Sequence, residues 1–125
     1  MILPPRDSRG LSQSLQLALV WPLLLLSTLG LVQAGLWLHA RNVAERAAIA
    51  AVDEARGSQG SPDTAREVAV GLADAAGLQH VVVAVTRSGT RVDATVSAEA
   101  PSILELGLGR VREQASAPLE RVTPP

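Results

Sequence analysis

The residues that could carry chemistry are few. The chain has two histidines, His39 and His80, well separated in sequence, and no cysteine to complete a metal-ligand spacing with either. Gly107 and Gly109 flank Leu108 without the buried strand and following helix that a phosphate cradle needs, so they are expected to be loop residues. The sequence thus predicts no catalytic constellation, no structural metal and no cofactor. Two glutamines stand out instead. Gln16 and Gln33 lie in a stretch, Gly10 to Ala40, that contains no Lys, Arg, Asp or Glu. An amide in apolar surroundings needs a partner or a water-facing edge. Gln33, beside Gly30, Ala34 and Gly35, can hydrogen-bond across a closely packed helix pair, or sit as a tolerated amide near a membrane boundary. Gln16 sits at the other edge of the same stretch.

What must position these residues is a membrane helix. Leu17–Leu38 is leucine-rich, and at about 1.5 Å per residue it makes a helix of roughly 33 Å against a hydrocarbon core of about 30 Å. The only aromatic residues, Trp21 and Trp37, mark its two ends, where indole rings favour the headgroup level as interfacial anchors. Pro22 removes the bond to the Ala18 carbonyl, so a kink or local melting is expected there.

Composition limits the rest. About 85 residues follow Leu38, enough for one small domain and too few for a large enzyme. They contain no Phe, Tyr, Trp or Cys, so the core must be built from Val, Ala, Leu and Ile, and such a core is expected to lean on the long helix or on other subunits. The net charge is −1, acids and arginines are interspersed, and all eleven basic residues are arginine. No basic stripe points to nucleic acid.

Along the chain, residues 1–10 form a short leader with Pro4, Pro5, Arg6 and Arg9. A helix is expected over 11–56, with the span at about 17–38, because His39 to Arg56 lacks Pro and Gly. Ala40, Val43, Ala44, Ala47, Ala51 and Ala55 share one stripe of that helix, and Asn42, Glu45, Arg46 and Asp53 lie elsewhere. Residues 57–61 are a connector. Ser61, Pro62 and Asp63 then open a second helix that should end near Ala76, with Gly77 as its left-handed cap and an apolar side of Val68, Ala69, Leu72 and Ala76.

The period changes to two after His80. Val81 to Val85 is apolar on both faces and predicts a central or covered strand, Ser88 and Gly89 a two-residue turn, and Arg91 to Glu99 a half-buried antiparallel strand. A third strand from Arg110 to Val122 must tolerate Pro118, which restricts it to a sheet edge or a bulge. The fold class is therefore α+β: a long N-terminal transmembrane helix extended beyond the membrane, a short second helix and a three-stranded antiparallel meander, with 62–125 as a small exported domain.

The run Arg9, Gly10, Leu11, Ser12 through Gln16, then Leu17 to Pro22 and Gly30 to Gly35, closely resembles the start of TadE-like proteins, and the similarity extends through Leu38 to Arg41 and the Ala-rich helix. The resemblance implies a pilin-like component of a tight-adherence, Flp-type pilus, without enzymatic activity. It implies a prepilin peptidase that cuts on the cytoplasmic side between Gly10 and Leu11. It also implies membrane lipid, other pilin-like subunits and the pilus-assembly machinery as partners. The family usually carries a glutamate five residues past the cut, where its carboxylate can pair with a neighbour's new α-amino group; here that position is Leu15, and Gln16 comes one residue late. The residue matching it by distance to Pro22 is Gln16, which accepts a hydrogen bond but cannot neutralise an ammonium.

The reading is a TadE-like minor pilin, pseudopilin or pilus-assembly subunit of a type IV-like pilus or secretion system. Its place is the bacterial cytoplasmic membrane, single-pass, with the N-terminus inside and the C-terminal domain outside, extending to an extracellular pilus if the subunit is incorporated. Two alternatives stand beside it. One is a secreted small binding module cut after Ala34, since Val32, Gln33 and Ala34 satisfy a signal-peptidase pattern. The other is a single-span membrane anchor of an unrelated complex.

Overall fold

The computed structural model of the chain describes residues 8–103 and 107–119. Most of the leader, residues 104–106 of the loop that precedes the third strand, and the expected end of that strand at Val122 lie outside them. Five elements follow in order: α1 (Ser8–Arg56), α2 (Pro62–Ala75), β1 (Gln79–Arg87), β2 (Arg91–Glu99) and β3 (Arg110–Pro118). This is the α+β fold that the sequence predicts. The chain divides into two compact units, Met1–Val32 and Gln33–Pro125, and α1 contributes to both.

In the first unit α1 is apolar and uncovered. Its large side chains, from Leu11 through Leu26 to Leu31, are exposed. The most apolar window of α1 has a mean hydropathy of 2.0 with none of it buried, so the helix is long and apolar enough to cross a membrane. The helix starts at Ser8, earlier than expected, and takes in Arg9 and Gly10. It also continues through Pro22 where local melting was expected. Thr28 Oγ1 donates to the Leu24 carbonyl at 2.8 Å, which satisfies that hydroxyl within the helix itself.

In the second unit the same helix changes character. Ala40, Ala44, Ala47, Ala51 and Ala55 are fully buried, as the stripe predicts, and Ala48 and Val52 widen it. Alanine lets helix and sheet approach closely and adds no rotamer entropy to the cost of folding. Val92 and Val96 of β2 are the largest fully buried side chains on the other side of this core, joined by Val83, Val85 and Val111. Gly60, in the connector, allows the chain to pass against the end of α1. A Cβ there would stand 2.1 Å from the Glu54 carbonyl oxygen, closer than real side chains come.

Helix α2 is capped as its sequence requires. The Ser61 hydroxyl accepts from Thr64 N at 3.2 Å, Pro62 takes the first helical position, and Gly77 closes the helix at φ 85°. Its buried side is Ala65, Ala69 and Ala73, whereas Val68 and Leu72 are exposed. The expected apolar side is thus rotated, because the close fit selects the alanines and turns the bulkier side chains outward.

The sheet is an antiparallel meander in the order β1-β2-β3. The central strand is β2, whose burial alternates along its length with Val92, Ala94, Val96 and Ala98 inward. β1 is an edge strand, not a central one, and Val82 on its outer face is 65% exposed. Valine on both of its faces suits a strand covered on both, but the core lies on one side of the sheet only, against Val83 and Val85. The β1–β2 turn is centred on Gly89 and Thr90, one residue later than expected. Ser88 N donates to the Arg91 carbonyl at 2.9 Å, and the Ser88 hydroxyl accepts from Arg91 N at 3.1 Å. β3 is the other edge and ends at Pro118, where a missing N–H is harmless.

Candidate functional site

Among the polar groups that this fold brings together are two that meet near the start of β3. The first runs along α1 at Gln33, Trp37 and Arg41, four residues apart and therefore on one face of the helix. Gln33 Oε1 accepts from Ile103 N at 3.1 Å, in the loop that follows β2. Trp37 Nε1 donates to the Arg110 carbonyl at 3.2 Å, at the start of β3. Arg41 Nε lies 2.8 Å from Glu113 Oε1, and its guanidinium sits 5.7 Å from the centre of the Trp37 ring. The three residues hold the helix to β3 and to the loop that leads into it. Arg41 and Glu113 are partly solvated, so their pairing contributes orientation more than stability.

The second group is at the far end of the β1–β2 pair from the hairpin turn. His80 adopts a left-handed backbone, φ 51°, where the register shifts between Gln79 and Val82. A β-bulge of this kind re-aims a side chain. His80 Nδ1 stands 3.0 Å from Glu99 Oε2, a contact in which the imidazole donates when Nδ1 carries the proton, and Arg110 Nε stands 3.8 Å from Glu99 Oε1. The carboxylate is thus shared between two cationic or donor side chains at the rim of a shallow depression that also touches Ser97 and Arg112. All three side chains are well exposed to water, which weakens each pairing.

The residues singled out in the sequence are placed as follows. Gly10, Leu11 and Gln16 lie on the uncovered part of α1, and Trp21 is exposed there as well. Gly30, Ala34 and Gly35 are exposed, and a Cβ at Gly10, Gly30 or Gly35 would meet nothing within 4 Å. Among the described residues, no contact explains why these positions lack a side chain. Trp37 and Gln33 differ from that group, since both are half-buried and bonded to the sheet unit. His39 is exposed on α1 and takes no part in the His80 group.

Reading the sequence alone missed Arg41, Ile103, Glu113 and the Glu99 pairings. The spacing of Gln33, Trp37 and Arg41 at successive helical turns was a usable signal for one face. Nothing local could name the partners, which lie about 70 residues later.

The family model described as TadE-like protein matches residues 12–53, which are the apolar part of α1 and most of its alanine stripe. This is the family that the N-terminal sequence resembles, and the matched segment is TadE-like. No curated protein and no solved structure gave a match to the chain.

Proposed function

We propose that this chain, TadE-like over residues 12–53, is a minor pilin, pseudopilin or assembly subunit of a tight-adherence, type IV-like pilus or secretion system, and that it is not an enzyme. The observation that carries the reading is the coincidence of the family match with a single helix of two characters. Its first part offers leucine to its surroundings and its second part offers alanine to a sheet.

In this reading α1 crosses the cytoplasmic membrane once. The N-terminus lies inside, where Arg6 and Arg9 favour it, and the sheet unit lies outside. A prepilin peptidase cuts between Gly10 and Leu11. That bond falls in the first turn of α1, where the backbone N–H groups have no partner four residues back and the helix opens at least cost. The freed helix then packs with other pilin-like subunits. The open surfaces at Gly30, Ala34 and Gly35 support close approach of a neighbouring helix. Gln16 serves as a neutral hydrogen-bond acceptor where relatives carry a carboxylate.

Two observations favour this reading over a secreted module cut after Ala34. The cut would fall inside a continuous helix, and it would remove Gln33, whose oxygen is the acceptor for Ile103 N. N-terminal sequencing of the mature protein from its native host tests the reading. A start at Leu11 is the expected result. A start at Gly35 supports secretion, and an intact Met1 supports an uncleaved anchor. Gene neighbours encoding a secretion ATPase and a prepilin peptidase would add independent support.

A further inference from the structure

The C-terminal part of α1 and β3 run side by side in the same direction, joined first by Trp37 to the Arg110 carbonyl and then by Arg41 to Glu113. The start of β3 therefore lies level with Trp37, near the end of the uncharged stretch, where an indole of a spanning helix meets the headgroups. Gln79, Glu99 and Arg110 pair across the sheet as its terminal row, so this end of all three strands shares that level. The β1–β2 turn is at the other end, roughly 26 Å away at about 3.3 Å per residue.

The outer face of this end, opposite the buried core, is basic. Arg110 and Arg112 project from the same face of β3, roughly 7 Å apart along the strand. Ser97 stands opposite Arg112, and Val82 opposite Ser97. With His80 and Glu99 they line a shallow depression of about 410 Å³. Glu99 is shared by His80 and Arg110, whereas Arg112, among the described residues, has no ion-pair or hydrogen-bond partner. The depression thus keeps a guanidinium that no carboxylate compensates. The left-handed backbone of His80 is a strained conformation of the kind found at ligand clamps, and here it sets the imidazole against Glu99 at the rim.

We propose that this depression binds the phosphate of an anionic phospholipid, held between the guanidinium groups of Arg110 and Arg112 and the Ser97 hydroxyl. Guanidinium forks match phosphate oxygens in shape and charge. Lipid is the occupant because the charge is complementary and because the site lies level with the point where α1 leaves the hydrocarbon, where headgroup phosphates are concentrated. The sheet unit is thereby seated on the membrane by its terminal row, and anionic lipid sets its tilt.

The proposal rests on α1 crossing the membrane, and one experiment separates the two claims. The chain has no cysteine, so single variants Val82→Cys, Gly89→Cys and Leu24→Cys can each carry one fluorescent thiol probe. The full chain is reconstituted in phosphatidylcholine–phosphatidylglycerol vesicles in which either lipid carries a nitroxide near its glycerol, and in a parallel set a nitroxide in mid-chain. The expected result is mid-chain quenching at 24, together with quenching at 82 that is several-fold stronger by labelled phosphatidylglycerol than by labelled phosphatidylcholine and several-fold stronger than at 89. The double exchange Arg110→Gln with Arg112→Gln should abolish the lipid preference, and the same exchange at Arg87 and Arg91, at the hairpin end, should leave it unchanged. Quenching at 24 with no lipid preference at 82, or with a preference that survives the double exchange, overturns the site and leaves the span intact. Absence of quenching at 24 overturns the span reading, and the site with it. A response at 82 to inorganic phosphate at matched ionic strength, without a lipid preference, assigns the depression to a free anion and overturns the proposal. Shielding of 82 that appears only at high protein density, without lipid quenching, assigns it to a second copy and overturns the proposal too.

Discussion

The two parts of α1 solve opposite problems with the same backbone. Between Leu11 and Val32 the large apolar side chains are exposed, whereas between Ala40 and Ala55 the side chains that face the sheet are small and fully buried. A lipid-facing helix gains from apolar area and makes no demand on shape, since acyl chains adapt to it. A sheet-facing helix gains from close approach, and there each added methylene must displace a neighbour in a core packed at the density of a crystal. Hydrophobicity alone does not distinguish the two tasks; side-chain volume does.

The contrast can be broken most severely by charge. Leu24→Arg should cost about 3 kcal/mol of membrane insertion, because a guanidinium near the centre of a span is among the least favourable substitutions. Insertion measured by glycosylation mapping should fall sharply, and the same arginine exchange at the exposed, sheet-unit position Asn42 should leave it unchanged.

Exchanging side-chain size sharpens the comparison at a smaller scale. Ala48→Leu should destabilise the sheet unit by about 1–3 kcal/mol through overpacking, at roughly 4–8 °C of Tm for each kcal/mol in a domain of this size. The reverse exchange on the other part, Leu24→Ala, should leave that Tm within about 1 °C, since Leu24 is an exposed residue of the first unit. A Tm drop of several degrees for Leu24→Ala, seen by calorimetry in detergent, would show that the two parts are not independent.

The smallest effect lies where the two characters meet. Arg41→Ala removes a half-solvated ion pair and a stacking contact, so a loss of about 0.5 kcal/mol is expected. Chemical denaturation of the full chain should detect it as a small fall in midpoint at unchanged slope. A loss above about 2 kcal/mol would mean that Arg41 acts as a buried group, contrary to its exposure.

Much of the fold was legible because its determinants are local. The alanine stripe follows from helical spacing, the start of α2 from Ser61 and Pro62, its end from Gly77, and the inward face of β2 from strict alternation. The place of β1 was not. A strand with valine on both faces reads as covered on both, and only the number of layers decides, a property of the assembled unit and not of the strand. The site was legible by half for a similar reason. Trp37 could be read as marking an end of the apolar stretch, but its bond to the Arg110 carbonyl depends on how a chain folds back over a long loop. The left-handed conformation at His80 likewise arises from a bulge in strand pairing, which no neighbouring residue announces.

β1 carries one more consequence. It has a strand on one side only, and from Val81 to Thr86 it bears no charge and no proline, whereas β3 at the opposite edge carries Arg110, Arg112, Glu113 and Pro118. Charge and proline are the usual guards against edge-to-edge templating, and β1 lacks them between Val81 and Thr86, before Arg87. Copies of the sheet unit concentrated in water are therefore expected to meet edge to edge along Val81–Thr86 before they meet along β3.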